Sequence, residues 1–252
     1  MEERLSFKGT SGDETAAILS KPRDPNGKGV ILLHCFLCTK HHRIMRALSD
    51  SLLERGFTTF RFDFYGNGES GGRIEESTYS KMITQVKDSV SFLEDRGGME
   101  WVGLAGHSMG AMLALLSAHE DKRIGSVAFI SGSSQAARVR EVFPEESITQ
   151  AEGQGESHAF VYGRDIRLKR EFLLDIERYN VGHAIAMLGR PILIVHGSKD
   201  EVIPPFHARQ LYNWAHEPKT LEMIVDADHL FREESHLRAL KGTVGDWFSR
   251  NL

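Results

Sequence analysis

Gly106-His107-Ser108-Met109-Gly110 holds a serine between glycines placed two residues away on either side. That spacing suits a nucleophile on a sharp strand-to-helix turn, where glycine removes side chains that would collide as the two elements close up. The flanks agree. Trp101-Val102-Gly103-Leu104-Ala105 reads as a short buried strand and Ala111 to Ala118 as a buried helix. Gly68-Glu69-Ser70-Gly71-Gly72 repeats the five-residue pattern, but it leaves a glycine-rich turn and runs into Arg73-Ile74-Glu75-Glu76. With neither a strand nor an apolar helix to hold it, Ser70 reads as a turn serine and Ser108 as the nucleophile.

A serine hydroxyl attacks poorly near neutral pH without a general base, and the base needs a group to orient it. Among 12 histidines, position selects His229 in Ala227-Asp228-His229-Leu230-Phe231. It follows the strand-like Leu221 to Val225, at the carboxyl edge where open α/β sheets build their sites. His196 opens the tight turn His196-Gly197-Ser198-Lys199-Asp200 and is expected to make a structural hydrogen bond. His107 should point away from a site that Ser108 enters. Asp200 is the expected acid, accepting the Nδ1 proton of His229 and stabilising the imidazolium. Asp226 and Asp228 lie too near His229 on one loop to present the right angle, and Glu201 is a weaker rival.

The negative charge that develops during acyl transfer needs two backbone N–H groups. One is expected from Met109, at the start of a helix whose dipole helps. The other is expected from Phe36, with Cys35 next, in the loop His34-Cys35-Phe36-Leu37-Cys38 after the strand Val30 to Leu33. His34, Cys35, Cys38, His41 and His42 also invite a metal or redox reading. No second cysteine pair completes a zinc site, so the sequence predicts ordinary thiols, no metal and no organic cofactor.

These residues must be positioned by alternating strands and helices, which predicts a mainly parallel sheet covered on both faces. An N-terminal hairpin over Arg4 to Lys8 and Glu14 to Ser20 precedes the strands Val30–Leu33, Phe57–Phe62, the nucleophile strand, Ser126–Ile130, Pro191–Val195 and Leu221–Val225. Ile44, Leu48 and Leu52, then Met82, Val86, Val90 and Leu93, and finally Leu237, Leu240, Val244 and Phe248 mark amphipathic helices. From about 132 to 189 the chain is polar and irregular, with no long strand predicted and a helix expected over Lys169 to Tyr179. A segment of that length suits a lid or cap inserted in a single domain spanning 1–252. Phe143, Phe160 and Tyr162 are its candidate substrate-lining residues.

Composition narrows the function classes. Thirty-one Lys and Arg against 35 Asp and Glu give a net charge of −4 without long blocks of either sign, which offers no electrostatic case for nucleic acid or an anionic membrane. No apolar run is long enough to span a bilayer, the first residues do not read as a secretory signal, and two cysteines do not suggest a disulfide-stapled scaffold. Cytoplasmic residence and a small-molecule ester partner are the expectations.

Taken together, the loop at His34 to Phe36, the run Asp63 to Ser70, the elbow at Gly106 to Gly110, Asp200 and His229 resemble the α/β-hydrolase superfamily across essentially the whole chain. Within it the chain looks most like serine hydrolases that include bacterial cinnamoyl and feruloyl esterases and serine aminopeptidase-like enzymes. Cys35 departs from the glycine common in the loop of that family. The resemblance implies an α/β-hydrolase fold with about eight mostly parallel strands, helices on both faces, and a small cap resembling Phe160-Val161-Tyr162-Gly163-Arg164-Asp165 and the helix after it. It also implies a carboxylesterase that works through an acyl-enzyme on short-acyl or hydroxycinnamoyl esters. An aminopeptidase, amidase or acyltransferase on the same triad is the alternative, with Glu145, Glu146 or Glu156 as candidate binders of a free amino terminus. A non-catalytic ligand-binding relative is the alternative of another class.

Overall fold

The computed structural model describes residues 1–251. The chain opens with an antiparallel hairpin, β1 (Glu2–Lys8) and β2 (Glu14–Ser20), turning over residues 9–13. Then β3 (Lys28–Leu33), α1 (Arg43–Leu53), β4 (Thr58–Phe62), α2 (Tyr79–Gly97), β5 (Trp101–His107), α3 (Met109–Glu120) and β6 (Ile124–Ile130) alternate as expected. After an intervening segment come β9 (Ile192–Gly197), α7 (Phe206–Trp214), β10 (Lys219–Ile224) and α8 (Glu234–Arg250). Eight strands form one sheet in the order β1-β2-β4-β3-β5-β6-β9-β10, parallel from β4 to β10 and antiparallel at the hairpin. This is the α/β-hydrolase fold that the resemblance implies.

The side-chain alternation of the central strands divides the core in two. Ile31, Leu33, Leu104, Val127 and Ile194 face α2 and α3, together with Val86, Val90, Leu113 and Leu116. Val30, Leu32, Ala105, Ala128 and Leu193 face the other way, onto Leu48 of α1 and Leu240, Val244 and Phe248 of α8. α3 lies deep enough that Met109 to Ala118 are all buried, which explains a helix with no polar face. Strand order reverses at β3, with β4 on one side and β5 on the other. The loops leaving β3 and β5 therefore flank a crevice at the sheet's carboxyl edge.

The segment between β6 and β9 corrects the sequence prediction. It begins with a 3₁₀ stretch over Ala136–Val142, then α4 (Glu145–Gln154) and a second, two-stranded sheet of β7 (Glu156–Val161) and β8 (Arg164–Lys169). α5 (Arg170–Glu177), within the span predicted as helix, and α6 (Val181–Ala186) complete it. The hairpin hides in plain composition: Ser157, Ala159 and Val161 point inward while His158 and Phe160 point out. On β8, Ile166 and Leu168 are buried between charged neighbours. That is the two-residue period of a half-buried strand, masked by its charged outer face. Among the described residues, no helix is long and apolar enough to cross a membrane.

Candidate active site

The turn between β5 and α3 carries Ser108 with φ of 57° and ψ of −118°, a left-handed backbone that a non-glycine residue adopts only when its surroundings impose it. The surroundings are tight. A Cβ on Gly106 would strike the carbonyl oxygen of Gly110, and one on Gly110 would strike those of Leu33 and His34. The two flanking glycines thus allow α3 to press against both β5 and the end of β3. Ser108 N–H donates to Ile130 O at 2.9 Å, which ties the turn to the neighbouring strand.

Three side chains from distant segments meet there. His229 Nε2 lies 3.1 Å from Ser108 Oγ, and His229 Nδ1 lies 2.8 Å from Asp200 Oδ2. Asp200 and His229 are buried and Ser108 is half-buried. Asp200 follows β9 and is fixed by N–H bonds from Val202 and Ile203 to its Oδ1, at 3.0 and 2.8 Å. Burial alone would raise its pKa, but the N–H edge of His196 beside it and the hydrogen bond from His229 hold it below the usual carboxylate range. An ionised carboxylate only accepts, so His229 Nδ1 carries the hydrogen and Nε2 is bare toward the serine. The arrangement can take a proton from Ser108 and hold the resulting imidazolium.

His196 Nε2 donates to Ile203 O at 2.8 Å, a structural bond as predicted. Asp226 is exposed and paired with Lys199, and Asp228 with Arg232. Ser70 Oγ donates to Asp63 O at 2.6 Å and accepts from Ala16 N at 2.9 Å, so both capacities of that hydroxyl serve the turn. Asp63, fully buried, accepts from the backbone N–H and ammonium of Lys40, at 2.7 and 2.5 Å, and from Glu69 N–H at 2.9 Å.

Met109 N–H opens α3, where a helix leaves its first donors without intrahelical partners. Phe36 N–H has no acceptor among the described residues. The loop carrying Phe36 is held by His34, whose Nε2 accepts from Phe64 N–H at 3.0 Å and whose Nδ1–H donates to Cys35 O at 2.8 Å. Burial pushes that imidazole down to about 4, so it is neutral. The sequence predicts free thiols at Cys35 and Cys38; the structure instead joins them in a disulfide. A turn closed by Cys38 N–H to Cys35 O brings the two Cα atoms to 5.3 Å, well inside the span of such a bond.

A narrow apolar cleft, open to solvent at its mouth, adjoins this loop. Phe36, Met109 and Phe143 line it, with Ile166, Leu168 and Phe172 from the segment between β6 and β9. The rings of Phe36, Phe143 and Phe172 meet edge-on or tilted at 5.8 to 6.5 Å. Of the three aromatic residues predicted to line a pocket, only Phe143 does. Phe160 and Tyr162 are 73% and 66% exposed, because they fall on the outward phase of β7 and on its turn. Ile166, Leu168 and Phe172 are not singled out by the sequence; the two-residue alternation across 156–169 is the signal that marks the first two. Glu145 and Glu146 face solvent on α4, away from the cavity, and Glu156 pairs with Arg167.

Comparison with known proteins agrees with this architecture. Residues 29–160 match the model of the family described as alpha/beta hydrolase fold. Human mitochondrial palmitoyl-protein thioesterase ABHD10 is 25% identical over 250 residues, covering 91% of this chain and 79% of that protein. The structure of Est1E from Butyrivibrio proteoclasticus with ferulic acid bound superposes with a TM-score of 0.85 at 24% identity, covering 98% of each chain. The esterase domain of a Rhodothermus marinus protein gives 0.79 at 26% identity, covering 99% of this chain and 98% of that one.

Proposed function

This chain belongs to the alpha/beta hydrolase fold family, and from that premise we propose that it is a serine hydrolase cleaving carboxylic esters through an acyl-enzyme. The observation that carries the proposal is the hydrogen-bonded row from Ser108 Oγ through His229 to Asp200. Ser108 attacks the acyl carbonyl as His229 Nε2 takes its proton, and Asp200 stabilises the imidazolium. The N–H groups of Phe36 and Met109 receive the oxyanion. The imidazolium then protonates the leaving group, and water, activated by the same base, releases the acid. Loss of one oxyanion donor would cost about 10²–10³ in turnover.

The segment over 132–189 acts as a cap, with Phe143, Ile166, Leu168 and Phe172 holding an apolar acyl or aromatic group. Thioesters are a second substrate class. They pass through the same acyl-enzyme, and the relative named palmitoyl-protein thioesterase together with the apolar cavity favours them. The aminopeptidase reading loses support from the outward-facing Glu145 and Glu146. In the cytoplasmic setting we assign, cellular reductants would hold Cys35 and Cys38 as a dithiol.

Purified protein is expected to hydrolyse p-nitrophenyl esters and to be labelled at Ser108 by a fluorophosphonate. Ser108→Ala should lose both. Retention of most turnover by that variant, or labelling elsewhere, would refute the proposal. Rates on an ester and a thioester with the same acyl chain separate the two substrate classes.

A further inference from the structure

A second cluster lies beside the proposed nucleophile and takes no part in acyl transfer. Cys35 Sγ and one ring nitrogen from each of His42 and His107 all lie within 4.8 Å of one another. They come from three places, the loop after β3, the residue preceding α1 and the end of β5. Cys35 and His107 are buried and His42 is half-buried. The two imidazole planes lie within 8° of each other, with ring centroids 5.9 Å apart.

The hydrogen bonding of His107 prepares it as a ligand. Its Nε2 lies 2.9 Å from His229 O. A carbonyl only accepts, so Nε2 carries the hydrogen, and in the neutral ring Nδ1 keeps a bare lone pair. That Nδ1 is buried with no hydrogen-bond partner, and so is His42 Nδ1. A histidine that donates one N–H to a backbone carbonyl while its other nitrogen is unspent has the tautomer and orientation of a metal-bound imidazole. Buried polar atoms without partners destabilise the fold, a cost that a shared cation removes.

We propose that the dithiol form of this protein binds one divalent cation of the zinc class through Cys35 Sγ, His42 and His107, and that the Cys35–Cys38 disulfide is its metal-free alternative. One thiolate and two imidazoles select zinc over magnesium or calcium, which take oxygen ligands. A dithiol reductant opens the site. The Cys35–Cys38 bond breaks, two electrons and two protons pass to the cysteines, and the reductant becomes a cyclic disulfide. Metal binding then releases the Cys35 thiol proton to solvent, while the imidazoles bind neutral. Tetrahedral zinc places such ligand atoms about 3.3–3.6 Å apart, so any pair near the 4.8 Å bound must draw in by about 1 Å. Cutting the tie to Cys38 frees the Cys35 side chain to do so. The site adjoins the acyl-transfer machinery but does not depend on that reading.

The test uses the chain reduced with dithiothreitol and freed of reductant by anaerobic desalting, then titrated with Co²⁺ as a spectroscopic substitute for Zn²⁺. One equivalent of cobalt with a thiolate-to-cobalt charge-transfer band, displaced by Zn²⁺, is expected; the oxidised protein should show none. Cys38→Ser keeps Cys35 and cannot form the disulfide, so it should give the band without any reductant. Cys35→Ser should abolish the band, and His42→Ala should weaken cobalt binding at least about tenfold. Absence of the band in both the reduced protein and Cys38→Ser overturns the site. So does its survival at full affinity in Cys35→Ser or His42→Ala. If a variant fails to fold, the reduced native chain still decides the question.

Discussion

His196 Nε2 lies 3.2 Å from the same Oδ2 of Asp200 that faces His229. One carboxylate oxygen therefore sits between two imidazoles, while its partner oxygen receives two backbone N–H groups. Every contact favours the anion. Asp200 is thus held as a fixed negative charge, suited to orienting a base and unsuited to moving protons itself.

Asp200→Asn removes that charge with little change of shape. The amide can present its NH₂ to His229 Nδ1, which would move the ring hydrogen to Nε2 and spoil the acceptor that Ser108 needs. Turnover on an ester substrate is expected to fall by about 10⁴, the scale for that change in a serine triad, with KM little altered. Steady-state kinetics check this. A loss below tenfold would mean that Asp200 does not orient the base.

Acid stability should be governed by buried imidazoles before carboxylates. Burial lowers His34 from 6.5 to about 4 and lowers His107 as well. A base whose folded pKa is depressed binds its proton more readily in the unfolded chain, so stability falls as pH drops below the unfolded value. For His34 the loss runs from about pH 6.5 to about 4 and amounts to about 3 kcal/mol. Asp200 acts later. Its folded pKa is depressed below 3.8, so its contribution is lost only as pH falls below the unfolded carboxylate value. Urea unfolding at pH 7 and pH 4.5 measures the window, and His34→Gln should reduce the pH slope by about one proton.

Much of this site could be read from strand ends. Ser108 and Asp200 follow the apolar, buried strands β5 and β9, and His229 follows the edge strand β10, of which only Ile224 is buried; parallel strands bring such ends to one edge. The β7–β8 hairpin was not legible in the same way, because its inward residues Ala159, Val161, Ile166 and Leu168 alternate with charges and a surface phenylalanine. Phe160 and Tyr162 therefore looked like pocket residues when only tertiary packing could assign the phase. α7 contains no long apolar stripe; His207, Ala208 and Leu211 form its buried side. The pairing of Cys35 with Cys38 depended on a turn whose geometry two residue names do not carry. The sequence predicts His107 to point away from the site, and its bond to His229 O spans 122 residues that no local pattern links.

Lys40 tests how much the loop architecture depends on one buried pair. Its ammonium lies 2.5 Å from both Asp63 Oδ2 and Glu69 Oε2, and Lys40 and Asp63 are almost wholly buried. Lys40→Met keeps the side-chain length but strands the Asp63 carboxylate. Removing one partner of a buried pair costs about 3–5 kcal/mol, which should appear as a lower urea midpoint. Lys40→Met with Asp63→Asn should recover part of that loss, since no charge then remains buried. Equal stability of the single variant and the native chain would show that the backbone N–H bonds to Asp63 suffice.

The cavity makes the most discriminating prediction about substrates. Ile166 and Leu168 enter it from β8, whereas Phe160 on β7 is turned to solvent. Ile166→Trp adds bulk to an apolar wall without touching Ser108, His229 or Asp200. It should leave acetyl esters nearly unaffected and slow long-acyl esters at least about tenfold, since a few methylenes against an apolar wall are worth that much. Phe160→Ala should change neither class, because that ring faces solvent and does not line the cavity. A series of p-nitrophenyl esters graded in acyl length measures both variants. Should Phe160→Ala alter chain-length preference while Ile166→Trp does not, the acyl group must lie over the outer face of β7 rather than beneath β8.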